Sequence, residues 1–214
     1  MKTMKYIIPT LFSIMILSAC NIQIKKKDGG NNEPANNTTS TEVTKAKWEE
    51  LFDLENIAFR SNFKISVDYP YNNWKSTMEI DNSKFYVTNT GYQSVPEGED
   101  PAEQKNYRYY KMKSMSGSDL TYDEYKYWNQ WTVQEYTEDI TDYFRGYGIF
   151  PLNYADFKYD AKNSVYRGTV PEYETEATVS FENNLIKRIV YSGKGQVMYY
   201  DFSNYGEISV AFPM

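Results

Sequence analysis

The chain has 214 residues, a formal net charge of −6, one cysteine and no histidine. An acidic chain lacks the clustered cations that displace counterions from a phosphate backbone, which excludes nucleic acid as a partner. Without histidine there is no Ser-His-Asp or Cys-His arrangement and no ordinary zinc ligand set, which leaves carboxylate pairs, Ser-Lys dyads and oxygen-only cation sites beside the leading reading of a non-catalytic chain with no metal and no cofactor.

Residues 1–19 carry Lys2 and Lys5, then an apolar run from Tyr6 to Leu17, then small residues. That is the build of a signal peptide, and the run is shorter than the about 20 residues a bilayer-spanning helix needs. The junction Leu17-Ser18-Ala19-Cys20 resembles the lipobox of bacterial lipoproteins. The resemblance implies cleavage between Ala19 and Cys20, transfer of diacylglycerol to the Cys20 sulfur, and fatty acylation such as palmitate. The implied partner is the membrane, and the implied place is the bacterial cell envelope, lipid-anchored to the cell membrane or to an outer membrane. The alternative is an ordinary secretory signal with a chance cysteine. Processing takes the charge from −6 to −8, because Lys2 and Lys5 leave.

Residues 20–44 are polar, rich in Asn, Thr, Gly and Lys, and read as a flexible tether. Lys25, Lys26 and Lys27 fit either contact with anionic headgroups or a solvated linker. The β-rich domain is expected over 45–214. Its first element is a helix over 45–59, where Trp48, Leu51, Phe52, Leu54, Ile57, Ala58 and Phe59 make an apolar arc wider than half the circumference.

From Phe63 the apolar period becomes two, through Ile65, Val67 and Tyr69, which predicts a strand over 63–69. Further strands are expected over 74–80, 84–90, 107–113, 122–127 and 131–136, with 95–106 a loop. A second helix is expected over 137–147, capped by Thr137 and carrying Glu138, Asp139 and Asp142 near its start. Three hairpins follow, pairing 157–159 with 165–170, 177–181 with 185–191, and 197–202 with 208–212. These total about a dozen strands. The expected fold class is α+β, a single curved, incompletely closed antiparallel sheet, or half-barrel, wrapped around one or two helices.

The leading helix, the meandering strands, the run Ala177-Thr178-Val179-Ser180-Phe181-Glu182-Asn183-Asn184-Leu185-Ile186-Lys187-Arg188-Ile189, the run Tyr200-Asp201-Phe202-Ser203-Asn204-Tyr205-Gly206 and the closing Pro213 resemble the LolA and LppX-like lipoproteins and lipid carriers. The resemblance implies a half-barrel enclosing an apolar cavity, and so a non-catalytic lipoprotein that binds a lipid or another hydrophobic or amphipathic ligand. Candidate lining residues are Trp48, Phe52, Phe63, Ile65, Tyr127 and Trp131. The alternative is a surface interaction module that meets a protein or a glycan through exposed aromatics.

Three further constellations have two readings each. Asp119, Asp123, Glu124, Glu135, Glu138, Asp139 and Asp142 fit an oxygen-only calcium site or solvated strand edges and a helix start. Ser192 and Lys194 fit a dyad or the flanks of a hairpin turn at Gly193. Tyr107, Tyr109, Tyr110, Tyr122, Tyr125, Tyr127, Trp128 and Trp131 fit a binding groove or cross-strand packing.

Overall fold

The computed structural model describes residues 42–72, 74–92, 103–128, 130–145, 147–170 and 174–212. The signal segment, Ala19, Cys20, the lysines at 25–27, residues 93–102 and Pro213 lie outside the described residues. All the described residues belong to one compact unit, Asn37–Met214. Among the described residues no helix is long and apolar enough to cross a membrane.

The stretch 45–59 forms two helices, α1 (Lys45–Leu51) and α2 (Leu54–Arg60), where one was expected. The break lies at Asp53, whose carboxylate accepts from the backbone N–H of Glu55 at 2.9 Å and of Asn56 at 3.2 Å and so caps a new helix. The apolar arc is thereby split between two directions. From α1, Trp48 reaches Phe157, Tyr166 and Phe181 at ring distances of 4.9, 5.1 and 5.5 Å. From α2, the buried stripe is Leu54, Ile57 and Ala58.

Eleven strands form one antiparallel sheet that does not close. The first six are β1 (Asn62–Tyr69), β2 (Trp74–Asp81), β3 (Lys84–Tyr92), β4 (Glu103–Ser116), β5 (Asp119–Trp128) and β6 (Gln130–Asp139). The other five are β7 (Phe157–Asp160), β8 (Val165–Val170), β9 (Thr175–Glu182), β10 (Leu185–Gly193) and β11 (Gln196–Ser203). Their order is β6-β5-β4-β3-β2-β1-β11-β10-β9-β8-β7, so the chain starts mid-sheet, meanders to one edge, crosses to the other and meanders back. The turns fall where the residues accept positive φ. Asn183 and Asn184 sit at 53° and 61°, and Lys194 and Gly195 at 51° and 78°.

Alternation then sorts the side chains. Phe63, Ile65 and Val67 of β1, Met78 and Ile80 of β2, and Phe85 and Val87 of β3 are all buried on one face. The helices cover that same face: Phe144 of α3 (Ile140–Arg145) lies 6.1 Å from Phe85, and Trp48 is fully buried, its indole N–H donating to the Leu152 carbonyl at 2.6 Å. The result is an α+β architecture with one helix-covered, apolar sheet face.

Three further expectations are corrected. The second helix begins at Ile140, since Thr137 through Asp139 stay in β6. Cross-strand partners hold them there: Thr137 Oγ1 is 3.0 Å from Thr121 Oγ1, and Glu138 accepts from the Tyr122 hydroxyl. Asp139 takes the capping role, accepting from the Thr141 N–H at 2.8 Å. Residues 103–106, read as loop, belong to β4. Residues 208–212 are not a strand, because the free edge of β11 is already taken by β1, with Lys64 opposite Ser203. This tail crosses the opposite sheet face instead, fastened by Asn62 Oδ1 to Ile208 N at 2.8 Å and by Asp81 Oδ2 to Val210 N at 3.2 Å.

Candidate functional site

A groove of about 370 Å³ opens where the helix pair meets the start of β1, the start of β10 and the turn after β11. Leu51, Phe63, Leu185, Ile186 and Tyr205 supply its apolar lining. The Tyr205 hydroxyl donates to the Ile186 carbonyl at 2.7 Å, and its ring lies 5.4 Å from Phe63, so both neighbours fix its place. Burial pushes the Tyr205 hydroxyl well above its ordinary pKa, which keeps it neutral. Lys47, Glu50, Asn56 and Arg60 form the rim. Lys47 Nζ sits 2.8 Å from Glu50 Oε1 and Arg60 Nη1 donates to Asn56 Oδ1 at 3.0 Å, so the rim carries solvated, locally paired charge above an apolar floor.

The six expected lining residues do not come together. Trp48, Phe52, Phe63 and Ile65 lie in the core on the helix-covered face, and of these Phe63 alone reaches the groove. Tyr127 and Trp131 lie on the other face, their rings 5.3 Å apart. That face carries an aromatic belt across β3 to β6. Tyr86 stacks on Tyr109 at 4.6 Å, Trp131 lies 5.7 Å from Tyr109 and 6.3 Å from Tyr107, and Phe212 of the tail covers Tyr125 at 4.8 Å. Tyr107, Tyr127 and Val133 remain exposed, at 42, 53 and 55%.

The tyrosine cluster of the sequence is thus divided by strand parity. Tyr110 and Tyr122 face the helices, 5.8 Å apart and within 5.9 and 4.8 Å of Tyr143. Tyr107, Tyr109, Tyr125, Tyr127 and Trp131 face outward; the side chain of Trp128 lies outside the described residues. Beside the inner tyrosines is a buried carboxylate, Glu124, which accepts from Arg108 at 3.0 Å and Tyr110 at 3.2 Å and pairs with Lys126 at 2.6 Å. Two cations and a phenol satisfy it, as a buried charge requires. Burial first, and then the Glu124 charge, push the Tyr110 hydroxyl up to about 12.

The crowded acids are likewise dispersed. Asp123 and Glu135 both pair with Lys113, whereas Glu138 is held by Tyr122 on the other face. Among the described residues no group of three or more His, Cys, Asp and Glu is placed to hold a metal ion. Ser192 and Lys194 do not form a dyad. Ser192 sits in the ladder opposite Val197, and Lys194 Nζ points to Glu174 at 3.8 Å.

Comparison with protein-family models, with curated proteins and with solved structures finds no match for this chain.

Proposed function

We propose that this chain is a membrane-anchored, non-catalytic envelope lipoprotein with a LolA- and LppX-like half-barrel, and that it binds an amphipathic ligand at the mouth of that half-barrel. The anchor rests on the lipobox residues Leu17-Ser18-Ala19-Cys20. The half-barrel reading is supported by an open sheet whose α1, α2 and α3 all pack on one face. The observation that carries the ligand is the groove, whose volume of about 370 Å³ falls in the range of small-molecule sites. An acyl chain suits the floor of Leu51, Phe63, Leu185 and Ile186, and an anionic head suits Lys47 and Arg60 at the rim. The deeper interior is occupied by Trp48, Phe144, Phe181 and their neighbours, so the ligand seats at the mouth and not within the core.

The test is titration of the purified chain with a dansyl-labelled long-chain fatty acid. Saturable binding is expected, and Leu185→Trp, which fills the groove from a half-buried position in its apolar lining, should weaken it at least tenfold while leaving the far-UV circular dichroism unchanged. Equal binding by the variant, or none by the parent, overturns the ligand. The anchor is tested separately: Cys20→Ala should move the protein out of the detergent phase and abolish metabolic labelling with palmitate.

A second reading, a surface module that meets a protein or glycan, is favoured by the belt around Trp131 with Tyr107 and Tyr127 exposed beside it. Loss of glycan or protein retention in Trp131→Ala, with fatty-acid binding intact, would select it.

A further inference from the structure

The two edges of the sheet differ. One is β7, only four residues long. The other is β6, ten residues long and paired to β5 without a register shift from Asp139 opposite Asp119 to Gln130 opposite Trp128. Among the described residues no strand pairs with its other edge, where alternate residues point backbone N–H and C=O groups outward, the arrangement that templates pairing with another strand. Natural edges are usually guarded by lysine, proline, a bulge or brevity. The sequence of β6, Gln-Trp-Thr-Val-Gln-Glu-Tyr-Thr-Glu-Asp, has neither lysine nor proline. Its charges are all acidic and all lie in its second half, at Glu135, Glu138 and Asp139.

That asymmetry suits one kind of partner, another β6 running the other way. We propose that β6 is a homodimerisation edge, where two copies of this chain pair their β6 strands antiparallel about a two-fold axis at Gln134. A two-fold axis perpendicular to the sheet must pass through a residue facing its own copy, since side chains alternate. With the axis at Gln134, Val133 faces Glu135 of the partner subunit, Thr132 faces Tyr136 of the partner subunit, Trp131 faces Thr137 of the partner subunit and Gln130 faces Glu138 of the partner subunit. No carboxylate then stands opposite another, and residues 130–138 pair in full. Moving the axis to Glu135 sets two carboxylates face to face, which destabilises a cross-strand pair. Moving it to Val133 shortens the overlap to 130–136. Glu135 is in any case paired within its own copy with Lys113, which it shares with Asp123.

The exposed apolar surface agrees with this placement. Val133, 55% exposed, sits one residue from the axis, where it covers the same residue of the other copy diagonally. Trp131 and Tyr127 flank it on the same outer face, so the two aromatic belts merge into one continuous surface. The inference rests on the sheet edge and is independent of the groove and of the lipid anchor.

The experiment uses the full chain with Cys20→Ser, in mild detergent, so that an introduced thiol is unique. Sedimentation equilibrium should give twice the monomer mass at tens of micromolar, and Val133→Lys should return the mass to that of the monomer with unchanged circular dichroism. Gln134→Cys should form a disulfide-linked dimer on copper-phenanthroline oxidation, because directly opposed strand residues lie within disulfide reach. Lys158→Cys, on the short edge, should not. A monomeric parent overturns the proposal, as does equal cross-linking from positions 134 and 158, which would signify random collision, or a dimeric parent in which neither position cross-links, which would signify a head-to-tail sheet.

Discussion

Tyr110, Tyr143, Tyr191 and Tyr200 are among the tyrosines that are at most 4% exposed. Desolvation raises the hydroxyl pKa of each, because a phenolate cannot be hydrated in the core. In the unfolded chain a tyrosine titrates near its ordinary value of about 10. A pKa raised on folding contributes stability that is intact below the unfolded value and is lost as pH climbs toward the folded one. Tyr110, pushed up to about 12, therefore withdraws about 1.4 kcal/mol by pH 11 and about 2.7 kcal/mol above pH 12, at 1.36 kcal/mol per pKa unit. The other three act with the same sign, against a total stability of about 5–15 kcal/mol for a typical domain. The expected outcome is cooperative alkaline unfolding between about pH 10 and 12. Absorbance at 295 nm should show tyrosine ionisation in two phases, with the buried tyrosines in the later one. That later phase should be one step that coincides with loss of near-UV circular dichroism. Ionisation of all 22 tyrosines as one class near pH 10, with the tertiary signal retained, would refute the reasoning.

Tyr191→Phe is expected to stabilise the domain by about 1 kcal/mol in urea denaturation, because its buried hydroxyl has no hydrogen-bond partner among the described residues and the ring contacts with Phe150 and Tyr200 survive. Gly148→Ala should lower stability by about 2 to 3 kcal/mol, measured by thermal melting. Its φ is +70° and an added Cβ would stand 1.8 Å from the Tyr200 hydroxyl oxygen. Asp53→Ala should cost about 1 kcal/mol through loss of the α2 cap, with Asp53→Asn recovering most of it in the same melt.

Most of the sheet was legible in the sequence because alternation is a local property. Phe63, Ile65 and Val67 mark their own burial, and Asn183-Asn184 marks its own turn. The elements that differ are those decided by distant partners. Nothing near Thr137 discloses that Thr121 will hold it in a strand, and nothing near residue 208 discloses that β1 already occupies the edge of β11. Asp53 fits the polar strip of one continuous helix beside Glu49 and Asn56, and that fit masks its capping role. The groove joins Leu51, Phe63, Leu185 and Tyr205 from segments far apart in the chain, so no window holds its signal. Strand parity could have separated Tyr125 and Tyr127 from Tyr122; it could not say which set faces inward, since both are aromatic.

The path of the chain has a consequence for how it is made. Each wing of the sheet, β1 to β6 and β7 to β11, zips by neighbouring hairpins, whereas the two wings meet along one seam where Lys64 lies opposite Ser203. Closing a loop of that length costs about 4 kcal/mol of chain entropy. Because β11 follows every other strand of the sheet in chain order, Phe63, Ile65 and Val67 wait beside an empty edge until residue 203 has been made. Slowed elongation after residue 139 would prolong that interval, and with it the time in which a nascent first wing can adhere to another.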